Sequence, residues 1–296
     1  MKLYRDLSED YLRAHPLPSH ENGNGKEARG RVLVVSGNAR VPGAAILAGV
    51  AALRAGAGIL QIATSASVAP NIGVAVPEAM VLGFSETSQG EIKQSNATDI
   101  VALAQDVDAV VVGPGMMDED ALRHFVRLLL ATPTKARIVL DAAAFTCMGD
   151  PSPDFRQDLQ GAIVTPHAGE MARFLGLDRE TVERNPLEAA QHVAVSAGCI
   201  VVMKGAETFV VGKEVWRSCF GSVALATSGS GDVLAGVLGG ILARGVDPTL
   251  AALWAVFLHG EAGRRLGLRH GNVGALAREL PAEIPRLMSG SEVTSA

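Results

Sequence analysis

Arg31-Val32-Leu33-Val34-Val35-Ser36-Gly37-Asn38 is the stretch on which the fold turns. Its core is apolar on consecutive residues, without alternation, and it stops on a glycine and an asparagine. A strand can be apolar on both faces only where both are covered, as in a parallel sheet layered with helices. Outward from it, an Ala- and Leu-rich stretch at 43–57 has helical character, and residues 59–63 form a second strand. Runs of the same apolar kind recur at 108–112, 137–140, 162–164, 200–203 and 208–211, with helical patterns at 96–104, 118–131, 169–175 and 186–197 among them. The last third reads as helices over 232–243, 248–266 and 274–288. Strands alternating with helices predict an α/β fold with a mostly parallel central sheet. Residues 1–14 pattern as a short amphipathic helix, and 15–30, with two prolines, three glycines and two asparagines, as a loop. The expected organisation is an N-terminal helix and loop over 1–29, one domain over 30–290 and a tail over 291–296.

Composition narrows the function. With 296 residues, 48% of them hydrophobic, the chain can bury a large core, and no compositional break divides it. A net charge of −5 with dispersed basic residues leaves no footprint for nucleic acid, and 4% aromatics argues against stacking platforms for single strands. No uninterrupted apolar region fits a signal peptide, and no run is long enough to span a membrane. The widely spaced Cys147, Cys199 and Cys219 fit reduced thiols, hence a cytoplasmic protein, better than disulfides or a zinc site.

In an open α/β sheet, ligands bind beyond the carboxyl ends of the strands. Polar or Gly-rich punctuation falls at that end five times: Gly37-Asn38, Gly113-Pro114-Gly115, Asp141, Thr165-Pro166-His167 and Lys204-Gly205. A sixth element, Thr227-Ser228-Gly229-Ser230-Gly231-Asp232, runs straight into a helix. Free N–H groups at a helix start and glycines without Cβ atoms make an anion cradle, with Asp232 placed to take a proton from an attacking hydroxyl. The same residues also read as a Gly-rich turn with a helix-favouring acid. Lys204 reads as a phosphate-neutralising cation or as a solvated lysine, and His167 as a substrate contact or a loop histidine, with Thr165 and Glu170 as the alternative helix-start residues. Asp141 reads as a Mg²⁺ or water ligand or as a cap, and His259 as a packed or capped histidine. No Walker A motif, no Gly-x-Gly-x-x-Gly after the first strand and no Gly-x-Ser-x-Gly elbow is present.

As an ordered set the motifs are more specific than any one of them. They run Val41 to Leu47, Arg54-Ala55-Gly56-Ala57-Gly58, Gly113-Pro114-Gly115, Leu140-Asp141-Ala142, Thr165 to Glu170, Met203 to Thr208, Gly229 to Gly236 and Leu258 to Gly263. This set resembles the ADP/ATP-dependent NAD(P)H-hydrate dehydratases of the ribokinase-like superfamily, over about residues 28–290. The resemblance implies a three-layer α/β/α fold and dehydration of (6S)-NAD(P)H-hydrate to NAD(P)H at the expense of ADP or ATP. It implies Asp232 as base, with Gly229 and Gly231 stabilising phosphoryl charge. Lys204, Gly205, Ala206, Glu207, Thr208 and Gly231 would hold the nucleotide, and Ala44, Gly115, His167 and Asp232 the hydrated NADH or NADPH. Mg²⁺ is expected with the nucleotide, with no metal-ligating set assigned. The family's homo-oligomers, often tetramers, are expected too. Only about 30 residues precede the first strand, so an epimerase would be a separate chain. Two departures stand out: Ala143 replaces the usual second acid after Asp141, and Ser228 a usual glycine. A vitamin-type kinase of the same fold and a non-catalytic nucleotide-binding protein are the competing readings.

Overall fold

The computed structural model describes residues 3–19, 25–117, 119–149 and 159–289. Its strands are β1 (Arg5–Asp6), β2 (Arg31–Val35), β3 (Ile59–Ser65), β4 (Ala79–Phe84), β5 (Ala109–Val112), β6 (Arg137–Leu140), β7 (Ile163–Val164), β8 (Ile200–Met203), β9 (Thr208–Val211) and β10 (Val215–Ser218). They form one ten-stranded sheet in the order β1-β10-β9-β8-β7-β6-β5-β2-β3-β4. From β8 through β4 every pairing is parallel, while β9 is antiparallel to both β8 and β10.

β2 shows why its run carries no alternation. Val32 and Val34 face a core formed with α2 (Gly43–Arg54), α10 (Ser230–Ala243), α11 (Pro248–His270) and α12 (Leu280–Met288). Leu33 and Val35 face the opposite core, formed with α4 (Ala97–Leu103), α5 (Glu119–Ala131), α7 (Ala168–Leu175) and α9 (Pro186–Ala197). All four side chains are fully buried, each contributing about 1.5–3 kcal/mol of transfer free energy. Short helices α1 (Glu9–Ala14), α3 (Ala69–Ala75), α6 (Ala143–Thr146) and α8 (Arg179–Arg184) complete the three layers.

α2 and α10 meet along a glycine seam. A Cβ on Gly236 would strike the Ala48 carbonyl oxygen, and one on Gly240 the Ala52 carbonyl oxygen. Only residues without side chains let these backbones touch, and this contact sets the height at which α10 presents its N-terminus.

Some boundaries differ from the sequence expectation. The N-terminal segment contributes a sheet-edge strand, β1, before a helix limited to Glu9–Ala14. α11 continues to His270, and α12 starts only at Leu280, because Gly274 takes φ 115° and Leu276 is extended. The start proposed for the helix at 118 and the tail at 291–296 lie outside the described residues.

Candidate active site

Every parallel strand ends at the same edge, and the predicted punctuation gathers there. Gly229 caps α10 in a left-handed conformation, φ 89° and ψ −7°, so the chain turns abruptly into the helix. The N–H groups of Gly231 and Asp232 lie in the first turn, ahead of any intrahelical acceptor, and the helix dipole adds positive potential. A Cβ on Gly229 would sit 3.8 Å from Asp232 Oδ2 and one on Gly231 would sit 3.3 Å from Lys204 Nζ. The carboxylate and the ammonium thus flank one bare turn.

Behind the turn lies a charge cluster. Lys204 Nζ is 3.0 Å from Asp141 Oδ1 and 3.6 Å from Glu170 Oε2. Thr165 Oγ1 donates to the same Asp141 oxygen at 2.6 Å, fixing a carboxylate that is itself buried. Burial would lower the Lys204 ammonium, but Asp141, Glu170 and Asp232 outweigh it and hold its pKa above the usual lysine value. Asp232 moves the other way. Burial first, then the negative charge of Asp141, push its pKa up to about 7, and Lys204 recovers only part of the shift.

His167 caps α7. Its Nδ1 accepts from the Gly169 and Glu170 amides at 3.0 and 3.2 Å, while Glu170 accepts from the His167 amide at 2.8 Å. With Nδ1 used as an acceptor, the neutral ring carries its proton on Nε2, the nitrogen 3.4 Å from Glu170 Oε1. His167, rather than Thr165, is thus the residue that pairs with Glu170 to start the helix, and its side chain is exposed. Pro166 accepts from the Lys204 amide at 2.7 Å, joining this loop to β8.

The other rim of the cleft is built on Asn38. Its Oδ1 accepts from the Arg40 and Val41 amides at 2.8 and 2.9 Å, and its Nδ2 donates to the buried Glu91. That loop leads into α2, where Ala44 meets Gly115: a Cβ on Gly115 would come within 2.7 Å of the Ala44 Cβ. Gly113 lies against the Asp141 carbonyl, so the two rims are continuous.

Between them, Ala142 is the one non-glycine residue with positive φ among the described residues, φ 48° and ψ −123°. Such a conformation costs about 1–3 kcal/mol and is kept where its surroundings over-determine it. It turns the chain sharply just after Asp141.

The residues 205–207 form an exposed turn between β8 and β9, and Thr208 opens β9 half-buried. Glu207 accepts from Arg217 at 3.0 Å, and Arg217 reaches on to Asp6 of β1 at 2.8 Å. Cys219 is exposed, its sulfur 4.0 Å from Glu207 Oε1, whereas Cys147 and Cys199 are buried with thiols pushed up to about 12.

Three features escaped the sequence. Thr165 gives only the weak signal of a hydroxyl at a strand end. The positive φ of Ala142 gives none, since alanine does not mark it. His259, on α11, places Nε2 2.9 Å from Ser230 Oγ and 3.0 Å from the Ser230 carbonyl oxygen, a partnership no spacing reveals. Among the described residues no three His, Cys, Asp or Glu side chains are grouped to hold a metal ion. The best candidate, Asp141, already has its Oδ1 engaged by Thr165 and Lys204.

The sequence model of the family described as NAD(P)H-hydrate dehydratase matches residues 32–286. An ADP-dependent (S)-NAD(P)H-hydrate dehydratase of Xanthomonas campestris pv. campestris is 46% identical over 287 residues, 96% of this chain and 96% of that protein. A bifunctional NAD(P)H-hydrate repair enzyme, Nnr, of Moorella thermoacetica is 31% identical over 278 residues. That match covers 93% of this chain but 52% of the relative, so the chain spans about half of it. A crystal structure of the Bacillus subtilis ADP/ATP-dependent NAD(P)H-hydrate dehydratase, co-crystallised with ATP and Mg²⁺, is similar with a TM-score of 0.84 at 30% identity, covering 99% of this chain and 100% of that one.

Proposed function

The chain belongs to the NAD(P)H-hydrate dehydratase family, and on that premise we propose that it dehydrates (6S)-NAD(P)H-hydrate to NAD(P)H at the expense of ADP, or of ATP. Hydroxide is a poor leaving group from C6 of the damaged ring, and phosphate is a good one. Asp232 takes the proton of the C6 hydroxyl as its oxygen attacks the terminal phosphorus, and the bond from that phosphorus to the nucleotide's bridging oxygen breaks. With ADP the departing group is AMP. The Gly231 and Asp232 amides and Lys204 stabilise charge on the transferred group. The ring nitrogen's lone pair then helps expel phosphate from C6 as C5 loses a proton, restoring the dihydronicotinamide.

The turn at Lys204, Gly205, Ala206, Glu207 and Thr208, with Gly231, lies on the nucleotide side. Ala44, Gly115 and His167 line the side left for the hydrated ring and its dinucleotide. The described residues do not fit a resident metal site, so Mg²⁺ would arrive on the nucleotide's phosphates. A homo-oligomer and a cytoplasmic setting complete this reading.

The observation that carries it is Asp232 raised to about 7, beside bare amides and a cation. A base poised near neutral pH is what a hydroxyl nucleophile needs. Incubation with ADP or ATP and chemically hydrated NADH is expected to restore the near-ultraviolet absorbance of the reduced ring. Asp232→Asn is expected to keep nucleotide binding and lose roughly two or more orders of magnitude in rate. A stable phosphorylated vitamin with no dehydration would favour the kinase; nucleotide binding without turnover would favour the non-catalytic alternative.

A further inference from the structure

We propose that His259 is a positioning residue for phosphoryl transfer: by donating from Nε2 to Ser230, it fixes the Gly229-Ser230-Gly231 turn and so keeps the amide donors and Asp232 aligned with the nucleotide. The proposal rests on the dehydratase reading above.

The turn has little stiffness of its own. Ser230 stands between two glycines, which open more backbone conformations than any other residue. The bonds that close the helix start are long, with the Ser230 amide to the Thr227 carbonyl at 3.3 Å and the Val233 amide to the Gly229 carbonyl at 3.2 Å. α11 is the opposite kind of element, 23 residues long and buried over most of its length. At the residue after His259, a Cβ on Gly260 would strike the Phe220 carbonyl oxygen, so α11 is seated on that backbone just where the histidine leaves it. Contact from Nε2 to Ser230 at 2.9 and 3.0 Å therefore ties a soft turn to a rigid support.

The chemistry fixes which nitrogen carries the proton. A carbonyl oxygen can only accept, so the ring nitrogen facing it must donate. Burial, with Lys204 adding to it, lowers the His259 pKa to about 4, so the ring is neutral at working pH and its single proton lies on Nε2. Asp232 sits two residues beyond Ser230, so slack in the turn moves the base and the amides together. A misplacement of about 1 Å at reacting groups costs on the order of 100-fold in rate.

The test compares His259→Phe, which removes the donor, with His259→Gln, which keeps an N–H donor, in the full-length protein. Expected in His259→Phe is a roughly 10- to 100-fold loss of kcat with little change in KM for the hydrated substrate, and in His259→Gln recovery of most of it. Equal loss in both, or a loss only in proportion to the folded fraction, would overturn the proposal. A measurement on the unaltered protein stands apart from any folding defect: the ¹⁵N shifts of His259 should report the Nε2–H tautomer, and an Nδ1–H tautomer overturns the tether. The tautomer needs no turnover. A protein that shows it yet leaves hydrated NADH untouched would fail the dehydratase reading and not the tether.

Discussion

An ionised Asp232 shares its surroundings with two other carboxylates and a single ammonium. The acid limb of kcat/KM for the free enzyme should accordingly centre near pH 7, with rate falling about tenfold per unit below it. Asp141→Asn removes a neighbouring negative charge, so the same limb should move to lower pH, as a pH–rate profile would read; an unmoved limb would place the base elsewhere. Asp232 also weakens the fold. Its carboxyl binds protons more tightly folded than unfolded, so its penalty is absent below about pH 4, grows between 4 and 7, and is complete above 7. Asp232→Asn should therefore stabilise the protein above pH 7 by roughly 2–4 kcal/mol after allowance for solvent screening, and that gain should shrink as the pH falls toward 4 in denaturant titrations. At this scale Lys204, Asp141 and His167 were legible because they punctuate strand ends, and Asp232 because it follows a Gly-rich helix start. Thr165 against Asp141 and His259 against Ser230 were not, because each pair forms only when distant parts of the chain meet.

Helices such as α5 and α7 were legible because one face of each is apolar, and the central strands because both faces are. The edges of the sheet obey neither rule. β4 is half exposed although Ala79–Phe84 is apolar throughout, so its run was present in the sequence but unassigned; β1 is two residues long, and its pairing with β10 is what makes it a strand. α3 and α8 are similarly short. The glycines of α10 carry a second message that periodicity does not convey, namely how near α2 lies. Gly236→Ala places a methyl group against the Ala48 carbonyl, so it should destabilise the protein by about 1–3 kcal/mol, seen as a lower midpoint in urea unfolding. Because Asp232 is one turn away on the same helix, kcat should fall in the folded fraction as well. A variant as stable and active as the parent would mean that the seam opens freely.

Across the whole molecule, the cleft is assembled from segments between residues 37 and 232, so a nucleotide held there would bind only the folded arrangement. A ligand that binds only the folded state at 100 times its dissociation constant adds about 2.7 kcal/mol, which for a chain of this size raises Tm by roughly 4 °C. ADP should produce such a shift in Asp232→Asn, where no turnover intervenes; absence of any shift would remove the nucleotide from the cleft. The Asp6–Arg217–Glu207 chain links the N-terminal strand to the turn after Lys204, an arrangement that only the folded sheet creates. The three cysteines offer a last consequence. Two are sealed in the interior as protonated thiols, and the third lies in the open beside Glu207. A maleimide dye added to the native protein will thus settle at one address, Cys219, and its fluorescence becomes a built-in gauge of what the neighbouring turn does when a nucleotide arrives.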